Sequence, residues 1–246
     1  MRACILAAGG ASAAPAATHG AADRLAAHLA ALQGVRTLSA HFTCEKRLKL
    51  LETPLESSGE IWIEKARGSG APSVRFSTDQ PYVSELILTN GKVFARSEHE
   101  SEWTKTDQSS RPGLTAVMQQ LGGWSMGEAA GISEMYTVEA APADARIPAM
   151  PAEPGGGGAP ATEAEAALPA ASRADMFILA PKNKDLAVAV KQVTLAIDRT
   201  THHLRFLEVE TRQGDVTRYW FHDVKTDVPL PAEVFQPRGL TVSDAP

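Results

Sequence analysis

The chain has 246 residues, 43% hydrophobic and 22% charged, enough to bury a core of its own and suited to one folded domain. A net charge of −5 without clustered Lys and Arg excludes general binding to nucleic-acid backbones. No apolar run reaches the roughly 18 residues of a membrane-spanning helix, and Cys4 and Cys44 make no CxxC-type zinc or redox motif.

At the start, Met1-Arg2, the apolar run Ala3 to Ala8 and the small residues Ala11-Ser12-Ala13 fit a secretory signal peptide with an A-x-A cleavage site. A disordered Ala-rich tail over residues 1–20 is the alternative. From Ala21 to Leu32, Ala22, Leu25, Leu29 and Leu32 recur at helical spacing, with Gly34 placed for a left-handed cap. The period then changes to two. Ser39 to Leu50, Glu60 to Lys65 and Val74 to Phe76 read as strands, and Leu86 to Thr89 and Val93 to Ala95 flank Asn90-Gly91, the pair that suits a type I′ hairpin turn.

Arg111-Pro112-Gly113 opens a second helical pattern, with Leu114, Val117, Met118 and Leu121 on one face and Gly122-Gly123 as its expected close. This stripe suits a lid, and equally a helix packed on a sheet. From 140 to 174 the sequence becomes rich in Ala, Pro and Gly, and Leu168 is the one large apolar residue between Pro151 and Ala171. Such a stretch cannot bury enough surface to offset its ordering entropy, so a disordered insertion is expected. Strand patterns resume over Met176 to Leu179, Val188 to Ile197, Leu204 to Thr211 and Val216 to Val224, so residues 21–246 form one domain around the insertion.

These elements predict a mainly β fold with helices. Consecutive hairpins build a curved antiparallel sheet, and the helices cover its concave side. If they sit loosely, an apolar cavity lies between. Alternation places Ile61 and Ile63 on one face and Trp62 on the other, and Val74 and Phe76 opposite Arg75. Each such residue serves a packed core as readily as a ligand face.

Catalytic and metal sites find little support. His202-His203 lack a Cys or carboxylate at ligand spacing and read as an exposed turn or strand end. His41, His99 and His222 have no nucleophile in a recognisable elbow, and Gly155 to Gly158 lacks the Lys-Ser/Thr of a phosphate loop.

Several spans, in order, resemble the LolA family, the periplasmic lipoprotein carriers of Gram-negative bacteria. They are Leu32 to Thr43, Gly59-Glu60-Ile61-Trp62-Ile63, Val74-Arg75-Phe76, Asn90-Gly91-Lys92, Leu179 to Lys182, Val193 to Asp198 and Phe235 to Val242. The resemblance implies an incomplete antiparallel β-barrel with a helical lid over an apolar cavity, carrying acyl chains without cofactor or catalysis. It implies a monomer that takes a lipoprotein from an inner-membrane release complex to an outer-membrane acceptor. Its lipid-binding residues are expected to be Phe42, Ile61, Ile63, Val74, Phe76, Leu86, Leu88, Leu114, Val117, Met118 and Leu121.

In the family an Arg just after the Gly-aromatic strand latches the lid. Lys65 occupies that position here and Arg67 follows, with Arg67 the preferred latch and a solvated charge the competing reading for each. Val74 replaces a larger apolar or aromatic residue, and Cys44 a Gln. These departures keep open a paralogue carrying another lipid or glycolipid. A lipid-sensing regulatory module is a further alternative.

Overall fold

The computed structural model describes residues 20–66, 70–98, 102–107, 120–129, 131–151, 173–237 and 242–244. The helix α1 (Ala21–Ala31) is followed by a meander of six strands, β1 (Thr37–Arg47), β2 (Leu55–Glu64), β3 (Ser73–Gln80), β4 (Ser84–Thr89), β5 (Lys92–Ser97) and β6 (Trp103–Asp107). After the helical residues 120–125, here α2, come α3 (Ile132–Met135), β7 (Tyr136–Ala140), β8 (Ala174–Pro181) and α4 (Lys184–Ala189). The strands β9 (Val190–Asp198), β10 (Leu204–Thr211) and β11 (Val216–Thr226), a 3-10 turn (Ala232–Phe235) and β12 (Val242–Asp244) complete the described chain.

All twelve strands share one sheet in the order β12-β6-β5-β4-β3-β2-β1-β11-β10-β9-β8-β7. Each meander pairs with itself in sequence, and the two join where β1 lies antiparallel to β11, from Leu38 opposite Thr226 to Arg47 opposite Val216. Among the described strands only β12 runs parallel to its neighbour, β6. The fold is an incomplete antiparallel β-barrel with few helices.

Curvature has identifiable sources. The β2–β3 register shifts between Ser58 and Gly59, and a Cβ on Gly59 would lie 1.9 Å from the Ser77 carbonyl oxygen. Glycine therefore lets the strands approach where the sheet bends. Further register shifts occur in β1 between Ser39 and His41 and in β10 between Leu204 and Phe206.

Strand alternation sorts the side chains as expected. Phe42, Ile61, Ile63, Val74, Phe76, Leu88, Phe177, Val193, Leu195 and Leu207 share one buried cluster with Leu25 and Leu29 of α1 and Leu121 of α2. On the opposite face Trp62 packs with Ile87, Phe94 and Trp103 beneath Val234 and Phe235. A second outer cluster joins Ala174, Ala196, Phe206 and Trp220.

That second cluster corrects the boundary expected for the insertion. Residues 141–151 are placed against the sheet: Ile147 packs into the cluster and Trp220 Nε1 donates to the Pro148 carbonyl at 2.9 Å. An isoleucine and an indole partner anchor this stretch despite its biased composition. Residues 152–172, the remainder of the expected insertion apart from its last two positions, lie outside the described residues.

Other local expectations also change. Asn90 and Gly91 adopt φ of 49° and 73° in the β4–β5 hairpin, as a type I′ turn requires. Gly34 is not left-handed, and α1 closes instead at Leu32. Gly122 and Gly123 do not end α2 but lie within it. A Cβ on Gly122 would meet Val74 Cγ2 at 2.7 Å, so the small residue serves contact between helix and sheet rather than termination. Val188, expected in a strand, lies in α4, which Asn183 caps by accepting from the Asp185 and Leu186 amides.

Candidate functional site

The concave face is one continuous apolar surface across both meanders, and α1 and α2 lie over it. Of the expected lipid-binding residues, Phe42, Ile61, Ile63, Val74, Phe76, Leu88 and Leu121 are buried together there, and Leu86 is partly buried beside them. Leu114, Val117 and Met118 lie outside the described residues.

Among the described residues little space is left beneath α1 and α2. What remains is a narrow cleft of about 20 Å³, lined by Leu32, Leu38, Ala40, Ile61, Ile63 and Phe221 among others, with room for about one water. Leu25, Leu29 and Met126 are 2% exposed or less, so the cover sits on the sheet at ordinary core packing. Wider space opens farther along the concave face. A groove of about 350 Å³ has Phe76, Leu86 and Ala95 in its lining together with the hydroxyl-bearing Thr78, Ser84 and Thr104.

Two contacts join the helices at the cleft. Lys65, one residue past β2, donates through Nζ to the Gln33 carbonyl at 2.8 Å and the Met126 carbonyl at 3.1 Å. Gln33 follows α1 and Met126 follows α2, so one ammonium takes a carbonyl at the C-terminal end of each helix, where a cation is favoured. The second contact is backbone against backbone. Gly127 has φ +79°, and a Cβ there would stand 2.6 Å from the Gln33 nitrogen and the Leu29 oxygen. Arg67 lies outside the described residues.

Cys44, Tyr219 and Tyr136, buried on the concave side, are protonated and neutral. Burial pushes the Cys44 thiol up to about 11, against hydrogen bonds with Ser57 and Tyr219 that lower it. Burial likewise raises Tyr219 well above its usual value. Tyr136 is pushed up to about 12, again by burial, although its hydroxyl bonds to Gln120. At neutral pH this face therefore carries no ionised thiolate or phenolate, which suits apolar contents.

A polar cluster that no sequence motif announced lies at the other edge of the cover. His28 lies on the buried face of α1, within the Leu25-Leu29-Leu32 stripe, and bonds to Asp175 of β8 and His202 of the β9–β10 turn. His202 and His203 were expected to be exposed. Instead both are half-buried, and His203 lines the cleft. A histidine interrupting an apolar helical stripe was the available signal.

No family model matches the chain, and no curated protein matches it. Solved structures similar to it include a DUF1329 family protein from Desulfovibrio piger, at 9% identity over 88% of this chain and 96% of that one, with a TM-score of 0.49. A LolA superfamily protein from Nitrosomonas europaea has 10% identity, 88% and 97% coverage and a TM-score of 0.41. A chain of the Pseudomonas aeruginosa MucA/MucB complex has 14% identity, 88% and 60% coverage and a TM-score of 0.44.

Proposed function

We propose that the protein is a periplasmic carrier whose concave face takes up the acyl chains of a lipoprotein. It would receive them from an inner-membrane release complex and give them to an outer-membrane acceptor, with no bond made or broken. The observation that carries this reading is a continuous apolar sheet face covered by two helices whose C-terminal ends are joined through Lys65. A cover attached in this way lifts without breaking any strand pairing.

Magnitudes favour reversible loading. Two charge-assisted hydrogen bonds from a partly exposed ammonium contribute about 3 kcal/mol or less to holding the cover, beside the apolar packing that cargo would replace. Burying one methylene contributes about 0.8 kcal/mol, so about four methylenes offset the latch, and an acyl chain has several times that number. Loading is then driven by the cargo, while release needs an acceptor that binds the chains more strongly.

The cleft beneath α1 and α2 has room for about one water, so cargo reaches that part of the concave face only after the helices move. Lys65→Met is therefore expected to keep cargo uptake, raise apolar-dye fluorescence by about threefold in the empty protein, and alter transfer to an acceptor membrane. Unchanged dye binding and transfer would remove the latch role from Lys65. Native mass spectrometry of protein isolated from a Gram-negative periplasm tests the cargo itself. A bound acylated protein is the expected result, and a consistently empty protein that also ignores apolar dyes would overturn the carrier reading.

A second reading, a carrier of another lipid or glycolipid, is favoured by one contact. Val74 stands where a larger residue is usual in the family, and Gly122 of α2 sits directly on it. The helix thus lies closer to β3 than a larger side chain would allow, which suits cargo of different cross-section. A free lipid or glycolipid in the same mass spectrum would select this reading.

A further inference from the structure

His28 is 8% exposed, and each of its ring nitrogens is engaged. Nε2 lies 2.9 Å from Asp175 Oδ2 and Nδ1 lies 2.9 Å from His202 Nδ1. The Asp175 carboxylate is also held by Arg199 Nε at 2.9 Å. Burial would raise the Asp175 pKa, but its bonds to His28 and Arg199 outweigh that and keep it below the usual carboxylate value. It therefore stays ionised in mild acid, and His28 must present a proton on Nε2 to it.

This commitment decides what the other contact tolerates. Two Nδ1 atoms at hydrogen-bond distance share one proton: one imidazole donates and the other offers its lone pair. With His28 Nε2 already protonated, the pair accommodates one positive charge on either ring. It does not accommodate two, because both Nδ1 atoms would then carry hydrogens pointed at each other between two cations. Protonation of both rings therefore breaks the contact.

The surroundings determine which side moves. His28⁺ keeps its ion pair with Asp175, so α1 stays attached to β8. Among the described residues no carboxylate is paired with the His202 ring, which sits in a turn at φ +61°. The other charges facing the site are Arg199, Arg24 with its guanidinium 6.0 Å over the Phe177 ring, and Asp198 with Arg205 at 3.5 Å. Asp198 accepts from the Thr200 and Thr201 amides within the turn. The adjacent His203, whose pKa burial lowers, lines the cleft. When His202 leaves His28, the wall of the cleft leaves with it.

We propose that His28, His202 and Asp175 form a proton-sensitive seam between α1 and the β9–β10 turn, closed while the two imidazoles share one proton between their Nδ1 atoms and opened toward the apolar cleft when both are protonated. The seam acts whatever the concave face carries, so its test needs no lipid.

Hydrogen exchange of a peptide spanning residues 199–204, corrected for the intrinsic pH dependence of exchange, is compared at about pH 7.5 and about pH 5. The native chain is expected to lose protection there by about tenfold or more in acid, while β9 is unaffected. His28→Gln keeps a helix former and a donor for Asp175 but takes no charge, and leaves the turn sequence intact. In that variant the acid-induced loss is expected to vanish. No loss in the native chain, or an equal loss in His28→Gln, overturns the proposal. If the variant fails to fold, imidazole nitrogen spectra of the native chain decide. One proton shared between two Nδ1 atoms at neutral pH, lost as both rings charge, is the expected signature, and two rings titrating independently overturn it.

Discussion

Replacing Gly127 by alanine is expected to part the C-terminal ends of α1 and α2 while leaving the sheet intact. The backbone at this position is left-handed, and the added Cβ would fall 2.6 Å from both the Gln33 nitrogen and the Leu29 oxygen, which are main-chain atoms of the facing segment. A flexible side chain could rotate away, but helix backbone cannot. The conformational cost alone is about 1–3 kcal/mol, and relief comes most readily by lifting the cover. Hydrogen exchange of Ala21 to Leu32 should accelerate by about tenfold or more, and apolar-dye binding should rise with it. Unchanged exchange in that segment would show that the joint yields elsewhere.

Glu85→Ala is expected to cause the largest loss of stability. Glu85 is 9% exposed on the outer face and takes both Arg75, in a short contact, and Arg96, at 2.6 Å. Arg75 also donates to the Val234 carbonyl at 2.8 Å and stacks over Trp62, while Arg96 stacks over Trp103. One carboxylate thus lets two guanidiniums lie together under the C-terminal turn. Without it they are left unneutralised in a half-buried site, which costs about 3–5 kcal/mol and lowers Tm by about 10 °C for a chain of this size. Glu85→Gln should lose less, because the amide oxygen still accepts one of the bonds. Calorimetry or a urea midpoint measures both, and a loss under about 1 kcal/mol for the alanine variant would mean that the network contributes little.

The parts of this architecture with a repeating signal were legible beforehand. The Leu25-Leu29-Leu32 stripe, the Asn90-Gly91 turn and the alternation around Trp62 and Arg75 each follow from a period or a backbone preference, and the structure places them accordingly. Strands β6, β7 and β12 were not read, because they lie at or next to the sheet's ends and owe their extension to a neighbour's hydrogen bonds rather than to a pattern of their own. Gly122 and Gly123 misled for a related reason: a glycine that stops a helix in isolation permits close packing once β3 lies against it. The polar contacts were the least visible. Lys65 meets Gln33 and Met126, and His28 meets Asp175 and His202, only after strands distant in sequence have been brought together.

The joint where β1 meets β11 governs the order in which the two meanders can be completed. β1 finds β2 within a short loop, but its other edge waits for β11, and Thr37 bonds to Val228 across 191 residues of chain. Pairing across so long a loop is slow to nucleate. A chain made from its N-terminus can therefore assemble the first meander early, yet the apolar face bearing Phe42 and Ile61 stays open along one side until nearly all of the sequence has been made. The same dependence makes truncation costly. A chain ending at residue 211 keeps every strand of the first meander but leaves β1 as a long unpaired edge, and light scattering is expected to show it aggregating rather than persisting as a half-barrel.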